Sequence, residues 1–174
     1  MLEKFPNEEK DIKIKVAYIL KEKRNLEEGL KIINELLEKY SEDTDLLTYK
    51  AYWLQYLNRK EEAVEIIQNL IELDPDNSIY HDTYGEMLMS FQDYENAKNE
   101  FLKAIEISSD EWYTFQTHIK LGICYKELSK FKLALEKLES GIEYAEKSKS
   151  DLETRRNWVT IANLFKAEIE ELES

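Results

Sequence analysis

Two histidines, one cysteine and a scatter of paired carboxylates are the side chains here from which catalysis or metal binding could be built. His81 and His118 lie 37 residues apart, whereas metal ligands must converge on one ion at about 2 Å. Cys124 stands between Ile123 and Tyr125 and is the single cysteine of the chain, so neither a CxxC pair nor a disulfide framework can form. Its apolar neighbours suit a small buried filler better than a nucleophile. Gly29, Gly85, Gly122 and Gly141 are too dispersed to form a phosphate-cradling loop. Glu27-Glu28 and Glu61-Glu62 read as solvated helix starts, where acid favours the helix dipole. The basic cluster Lys120, Lys126, Lys130 and Lys132 is interrupted by Glu127. That is too little positive charge for a nucleic-acid footprint. The expectation is no catalytic residue, no metal and no cofactor: the chain is not an enzyme.

Composition narrows the remaining classes. The chain has 174 residues with 24 basic and 37 acidic side chains, a net charge of −13. Such a charge repels nucleic acid and anionic membranes. Apolar residues at 43 % can fill a core, while 4 Gly and 2 Pro are too few for the turns of a sandwich or barrel. No apolar run approaches the roughly 18–20 residues needed to cross a bilayer, and the opening MLEKFPNEEKDIK lacks a signal peptide's apolar stretch. A lone cysteine suits a reducing compartment, and the expected location is the cytoplasm.

The elements that position these side chains repeat. LEEGLKIINELLEKYSED from Leu26, KEEAVEIIQNLIELDPDN from Lys60 and YENAKNEFLKAIEISSDE from Tyr94 are spaced by 34 residues, and FKLALEKLESGIEYAEKS from Phe131 follows after 37. Each is preceded by a second amphipathic pattern: IKVAYIL, YKAYWLQYL, TYGEMLMSF and KLGICYKEL. The unit is two helices joined by a short turn, with turns expected at Asn25, Asn58, Asp93 and Ser129. His81 and His118 therefore occupy one place in successive units, a packing position rather than a converging metal pair. Small residues recur in register. Ala17, Ala51, Gly85 and Gly122 share a place on the first helix, and Gly29, Ala63, Ala97 and Ala134 share one on the second. A later place on the second helix holds Ala104 and Gly141 in the third and fourth units but Leu36 and Leu70 in the others. Glycine inside a helix costs about 1 kcal/mol relative to alanine, and close approach of paired helices is what offsets it.

Those positions carry a resemblance. Tyr84-Gly85, Leu88, Ala97, Phe101 and Ala104 in the third unit, lacking only a closing proline at Ser109, resemble the tetratricopeptide repeat. Ala51, Leu54, Ala63 and Leu73-Asp74-Pro75-Asp76 do so in the second. Leu121-Gly122, Tyr125, Ala134, Leu138 and Gly141 do so in the fourth, and Val16-Ala17, Leu20, Gly29 and Ile33 more weakly in the first. The resemblance implies an all-α fold, an α-solenoid of antiparallel helix pairs forming a tetratricopeptide-like superhelix. The expected organisation is an N-terminal tail over 1–9, four repeats over 10–43, 44–77, 78–111 and 115–148, and a capping helix over 149–174. Trp158, Ile161-Ala162 and Phe165 match the first helix of a further unit, suited to covering an otherwise open apolar end.

In such an array the first-helix faces turned away from the core line a concave groove for a peptide or a partner's helix. Projection at about 100° per residue places Ile14 and Tyr18, then Tyr52, Gln55 and Tyr56, on that face. It continues with Ile79, Asp82, Glu86 and Met89, then Ile119, Ile123 and Lys126, and on the last helix Val159, Asn163 and Lys166. Tyrosine, isoleucine and methionine among single charges suit a protein-binding surface. Residues 78–111 hold 2 basic and 8 acidic side chains, which favours a basic partner; self-association is compatible with the same face. A groove that grips acidic chaperone tails is not supported. Its clamp positions hold Ile14, Tyr18, Tyr49, Ile79 and Thr83, or one unit later Thr48, Tyr52, Thr83, Gln116 and Lys120, of which Lys120 alone fits. The function expected is a protein-interaction module. The alternative is a small acidic chaperone for secreted or aggregation-prone clients, which similar bacterial repeat proteins resemble in size and charge.

Overall fold

The computed structural model describes residues 10–11, 13–15, 25–108 and 114–173. Residues 1–9, the first-unit positions Val16, Ala17 and Leu20, and Ser109 lie outside the described residues. Among those described, regular structure is α-helical throughout. Eight helices are delimited: α1 (Leu26–Lys39), α2 (Thr44–Tyr56), α3 (Lys60–Leu73), α4 (Ser78–Ser90), α5 (Tyr94–Ile107), α6 (Thr114–Glu127), α7 (Phe131–Lys147) and α8 (Leu152–Glu173). Residues 10–11 and 13–15 are helical as well.

The chain forms two compact units, Met1–Leu73 and Asp74–Ser174. In the first, α2 packs against α1 and α3. In the second, each helix from α4 to α8 packs on the next, α8 also reaches α6, and α4 touches α6. Contacts limited to the next helix and the one after it define an α-solenoid of helix pairs, and α8 packs on both α6 and α7.

Periodicity explains which faces are inside. Ala51, Trp53 and Leu54 of α2 meet Leu30, Ile33 and Leu36 of α1 and Ala63, Ile67 and Leu70 of α3, all buried. The second unit's core joins Leu88, Ala97, Phe101, Phe115, Ile119, Leu121, Leu138 and Ala162. Each large side chain of this kind contributes about 1.5–3 kcal/mol by leaving water. The small-residue places are the close approaches. A methyl group added at Gly85 would lie 2.7 Å from the Phe101 ring, and one at Gly141 would lie 2.5 Å from Ile119 Cγ1 and 3.0 Å from the Phe115 carbonyl oxygen. Gly29 faces Trp53 and Gly122 faces Leu138 in the same way.

The turns within the helix pairs share one device. Asn58, Gln92 and Ser129 have φ of 58°, 64° and 57°, the left-handed conformation that ends a helix. After each, the next backbone N–H closes back on the helix. Arg59 N donates to Leu54 O at 2.9 Å, Asp93 N to Leu88 O at 2.9 Å, and Lys130 N to Tyr125 O at 2.8 Å. The sequence suits Asp93 to a turn and a helix N-cap: the left-handed residue of the third turn is Gln92, and Asp93 caps α5, its carboxylate accepting from Asn96 N at 3.4 Å. Asn25 precedes α1 with no side-chain capping bond.

Candidate functional site

The expected interaction face divides between the two units. In the first, α2 turns Tyr52, Gln55 and Tyr56 away from Trp53 and Leu54. Tyr52 and Gln55 are half-buried and Tyr56 is 45 % exposed. The Gln55 side-chain oxygen is buried with no hydrogen-bond partner. Ile14 is half-buried, and Tyr18 lies outside the described residues. Thr48, one turn earlier, is drawn inward, its hydroxyl donating to Thr44 O at 2.8 Å.

In the second unit the face is built by α4 and α6. Ile79 is 51 % exposed, and Asp82, Glu86, Met89, Ile123 and Lys126 are half-buried. Ile119 departs from the expectation. It is fully buried, with its side chain against Gly141 of α7, because α6 is enclosed by α5, α7 and α8 together. The neighbouring residue takes its place on the face. The Lys120 ammonium donates to Asp82 Oδ2 at 2.8 Å and Glu86 Oε2 at 3.4 Å, while Thr117 Oγ1 donates to Asp82 Oδ1 at 2.8 Å. The same ammonium lies 5.9 Å from the centre of the Phe101 ring and 5.8 Å from that of Trp158, within the range of cation–π attraction. With 3 % of its surface exposed, Lys120 cannot belong to an open basic patch. Lys126 pairs with Glu168 at 2.7 Å and Lys130 with Glu95 at 2.9 Å. One ammonium shared by Asp82 and Glu86 leaves a net negative charge on that pair.

The histidines share a repeat position but not an environment. His81 places Nδ1 2.7 Å from Glu100 Oε2 and Nε2 2.9 Å from the Pro75 carbonyl oxygen. His118 stacks on Tyr144 with ring centres 5.0 Å apart, and its Nδ1 is buried without a partner. Burial, aided by the nearby Lys137 charge, lowers the His118 pKa to about 4. Burial likewise raises the Cys124 thiol to about 12, so little thiolate exists for chemistry near neutrality. Among the described residues no cluster of three or more His, Cys, Asp or Glu side chains could hold a metal ion.

These helix pairs, with small residues at the crossings and left-handed turns between partners, match a known pattern. The family pattern of the tetratricopeptide repeat fits residues 50–77 and 80–111. Those two stretches are tetratricopeptide repeats. Response regulator aspartate phosphatase I of Bacillus subtilis strain 168 is 38 % identical to it over 74 residues, which is 41 % of this chain and 19 % of that protein. The chain thus spans about a fifth of the length of that relative. Among solved structures, PilF of Pseudomonas aeruginosa superposes with a TM-score of 0.76 at 19 % identity, covering 96 % of this chain and 70 % of that one. MamA of Desulfovibrio magneticus RS-1 gives 0.60 at 16 % identity, covering 94 % of each. At such identities these two are likenesses of fold.

Tetratricopeptide repeats are protein-interaction modules, and the array is read accordingly. Among the described residues no helix is long and apolar enough to cross a membrane.

Proposed function

We propose that the outward faces of the first helices, α2 in the first unit and, separately, α4 with α6 in the second, are each a docking surface for a peptide or a helix of a protein partner. The supporting observation is apolar exposure where a monomeric helix should be polar. Tyr56 and Ile79 stand about half exposed, with Met89 and Ile123 partly accessible among charges. Lys120 offsets one of the two charges of Asp82 and Glu86, so an apolar partner segment with some positive charge suits the face. The match to the Bacillus subtilis relative supports protein binding and not its phosphatase chemistry, since a small part of that protein is covered. A single buried thiol suits a reducing compartment, and we place the protein in the cytoplasm.

A photo-crosslinking residue placed in turn at Ile79, Met89, Leu102 and Leu133 tests the reading in native lysate. Leu102 and Leu133 are exposed positions on second helices. Crosslinks to one defined protein from Ile79 and Met89, absent from Leu102 and Leu133, are expected. The reverse distribution would move the docking surface to the second helices. Crosslinks from Ile79 and Met89 to many unrelated unfolded chains would replace a dedicated partner by a chaperone role.

A further inference from the structure

The two histidines that share a repeat place differ in what stands opposite them. On α4, His81 is 4 % exposed, with Nδ1 2.7 Å from Glu100 Oε2 of α5 and Nε2 2.9 Å from the carbonyl oxygen of Pro75. The repeat place of Glu100 is taken on α7 by Lys137, and there burial, with the Lys137 charge, lowers the His118 pKa to about 4. A carboxylate and a carbonyl oxygen can only accept hydrogen bonds, and a neutral imidazole has one N–H to give. The two contacts of His81 therefore need a proton on both ring nitrogens. The carboxylate is fixed on its other side as well, since Lys103 Nζ donates to Glu100 Oε1 at 2.8 Å.

Pro75 belongs to the turn at 74–77 that leads into α4. Within it Asn77 Nδ2 donates to Asp74 Oδ2 at 3.3 Å, and Asn77 Oδ1 accepts from Ile79 N at 3.1 Å to cap the helix. We propose that His81 is a proton-dependent clamp: with both ring nitrogens protonated it ties this turn to α5, and on losing one proton to solvent it releases the turn. The proton that stays is on Nδ1, because a bond to a carboxylate is about twice as strong as one to a neutral carbonyl. Nε2 then points a lone pair at the Pro75 oxygen, and the enclosed ring cannot exchange that contact for water. Pro75 is exposed, so its carbonyl can turn to solvent and the turn moves instead. The other charges around α4 have their own places. Asp74 and Asp76 lie in the turn, Lys103 is on Glu100, and from α6 Lys120 engages Asp82 and Glu86. The clamp therefore holds at low pH and opens as pH rises. It is read on the ring and the turn, so it and the docking faces can each fail without the other.

Isotope-labelled full-length protein, followed by NMR of the histidine ring nitrogens and backbone amides across about pH 5–8, tests this. At the acid end both ring nitrogens of His81 should carry a proton. As pH rises, Nε2 should lose its proton in step with shifts of the Asp76, Asn77 and Ile79 amides, while those of Gln92 and Asp93 stay in place over that transition. His81→Gln should remove the turn's response. Glu100→Gln, which keeps the ring, should weaken its hold on the proton about tenfold and so move the transition down by about one pH unit. Should His81→Gln fail to fold, Glu100→Gln carries the comparison. A ring that loses its proton without displacing the turn amides, or that keeps one protonation state throughout the window, would overturn the clamp. A turn that responds unchanged in His81→Gln would assign the response to Asp74 or Asp76 instead. An unmoved transition in Glu100→Gln would remove the carboxylate from the account.

Discussion

With its ammonium held between Asp82 and Glu86 and close to the Phe101 and Trp158 rings, Lys120 ties α4, α5, α6 and α8 through one side chain. Removing one member of a buried ion pair typically costs about 3–5 kcal/mol, because the partner charge is left uncompensated. Asp82 and Glu86 keep some contact with water, so Lys120→Met should fall at or below the low end of that range in urea unfolding. The double variant Lys120→Met with Asp82→Asn should recover part of the loss. If the single change is neutral, the network is not structural. His118 gives a second residue-scale test. Its folded pKa of about 4 lies below the ordinary 6.5, so unfolding takes up a proton between those values. Stability should therefore fall as pH drops through 6.5 and stop responding to this group below about 4. His118→Phe keeps an aromatic ring for Tyr144 and removes the proton site; stability in that variant should vary less across the window. An identical pH profile would show that another group controls it. The packed character of His118 was legible in the sequence, and the Lys120 network was not. A lysine reads as surface on one helix viewed alone, and here α4, α5 and α8 surround Lys120 while α7 covers Ile119.

At the scale of the elements, the helix pairs were readable because the small places must stay small. Ala51, Ala63, Ala97 and Ala134 are fully buried, and Gly85 and Gly141 have ring or backbone atoms where a methyl group would go. Gly141→Ala would gain about 1 kcal/mol in helix propensity but must displace Ile119 and the Phe115 carbonyl. Overpacking of this kind costs about 1–3 kcal/mol, so net destabilisation is expected in a thermal melt, and stabilisation would contradict the close approach. The turns invert the logic. Gln92 adopts a left-handed conformation that costs a side-chain-bearing residue about 1–2 kcal/mol. Gln92→Gly should raise the melting temperature by a few degrees; an unchanged or lower value would mean that the Gln92 side chain makes a compensating contact. The sequence pointed to Asp93 for this turn because aspartate is a common turn former. In the fold its carboxylate is used on the α5 N-terminus, and the strain passes to the residue before it.

For the whole molecule, the all-α class was legible in the 34-residue repeat together with the family resemblance it carries. What the sequence could not resolve is which outward side chains remain available. Asp82 projects to the face yet is held by Lys120 and Thr117, whereas Tyr56 and Ile79 project outward and stay accessible. The account's central claim, that this face docks a protein, is tested most directly by separating binding from stability. A partner identified by crosslinking from Ile79, which is 51 % exposed, is titrated against wild type, Ile79→Ala and Ile79→Lys, with thermal unfolding followed in parallel. Surface substitutions of this kind usually change stability by no more than about 0.5 kcal/mol, while an interface anchor contributes about 2 kcal/mol or more. The account predicts at least a tenfold loss of affinity in each variant, with melting temperatures close to wild type. Affinity retained by both variants, or lost only in step with stability, would contradict it.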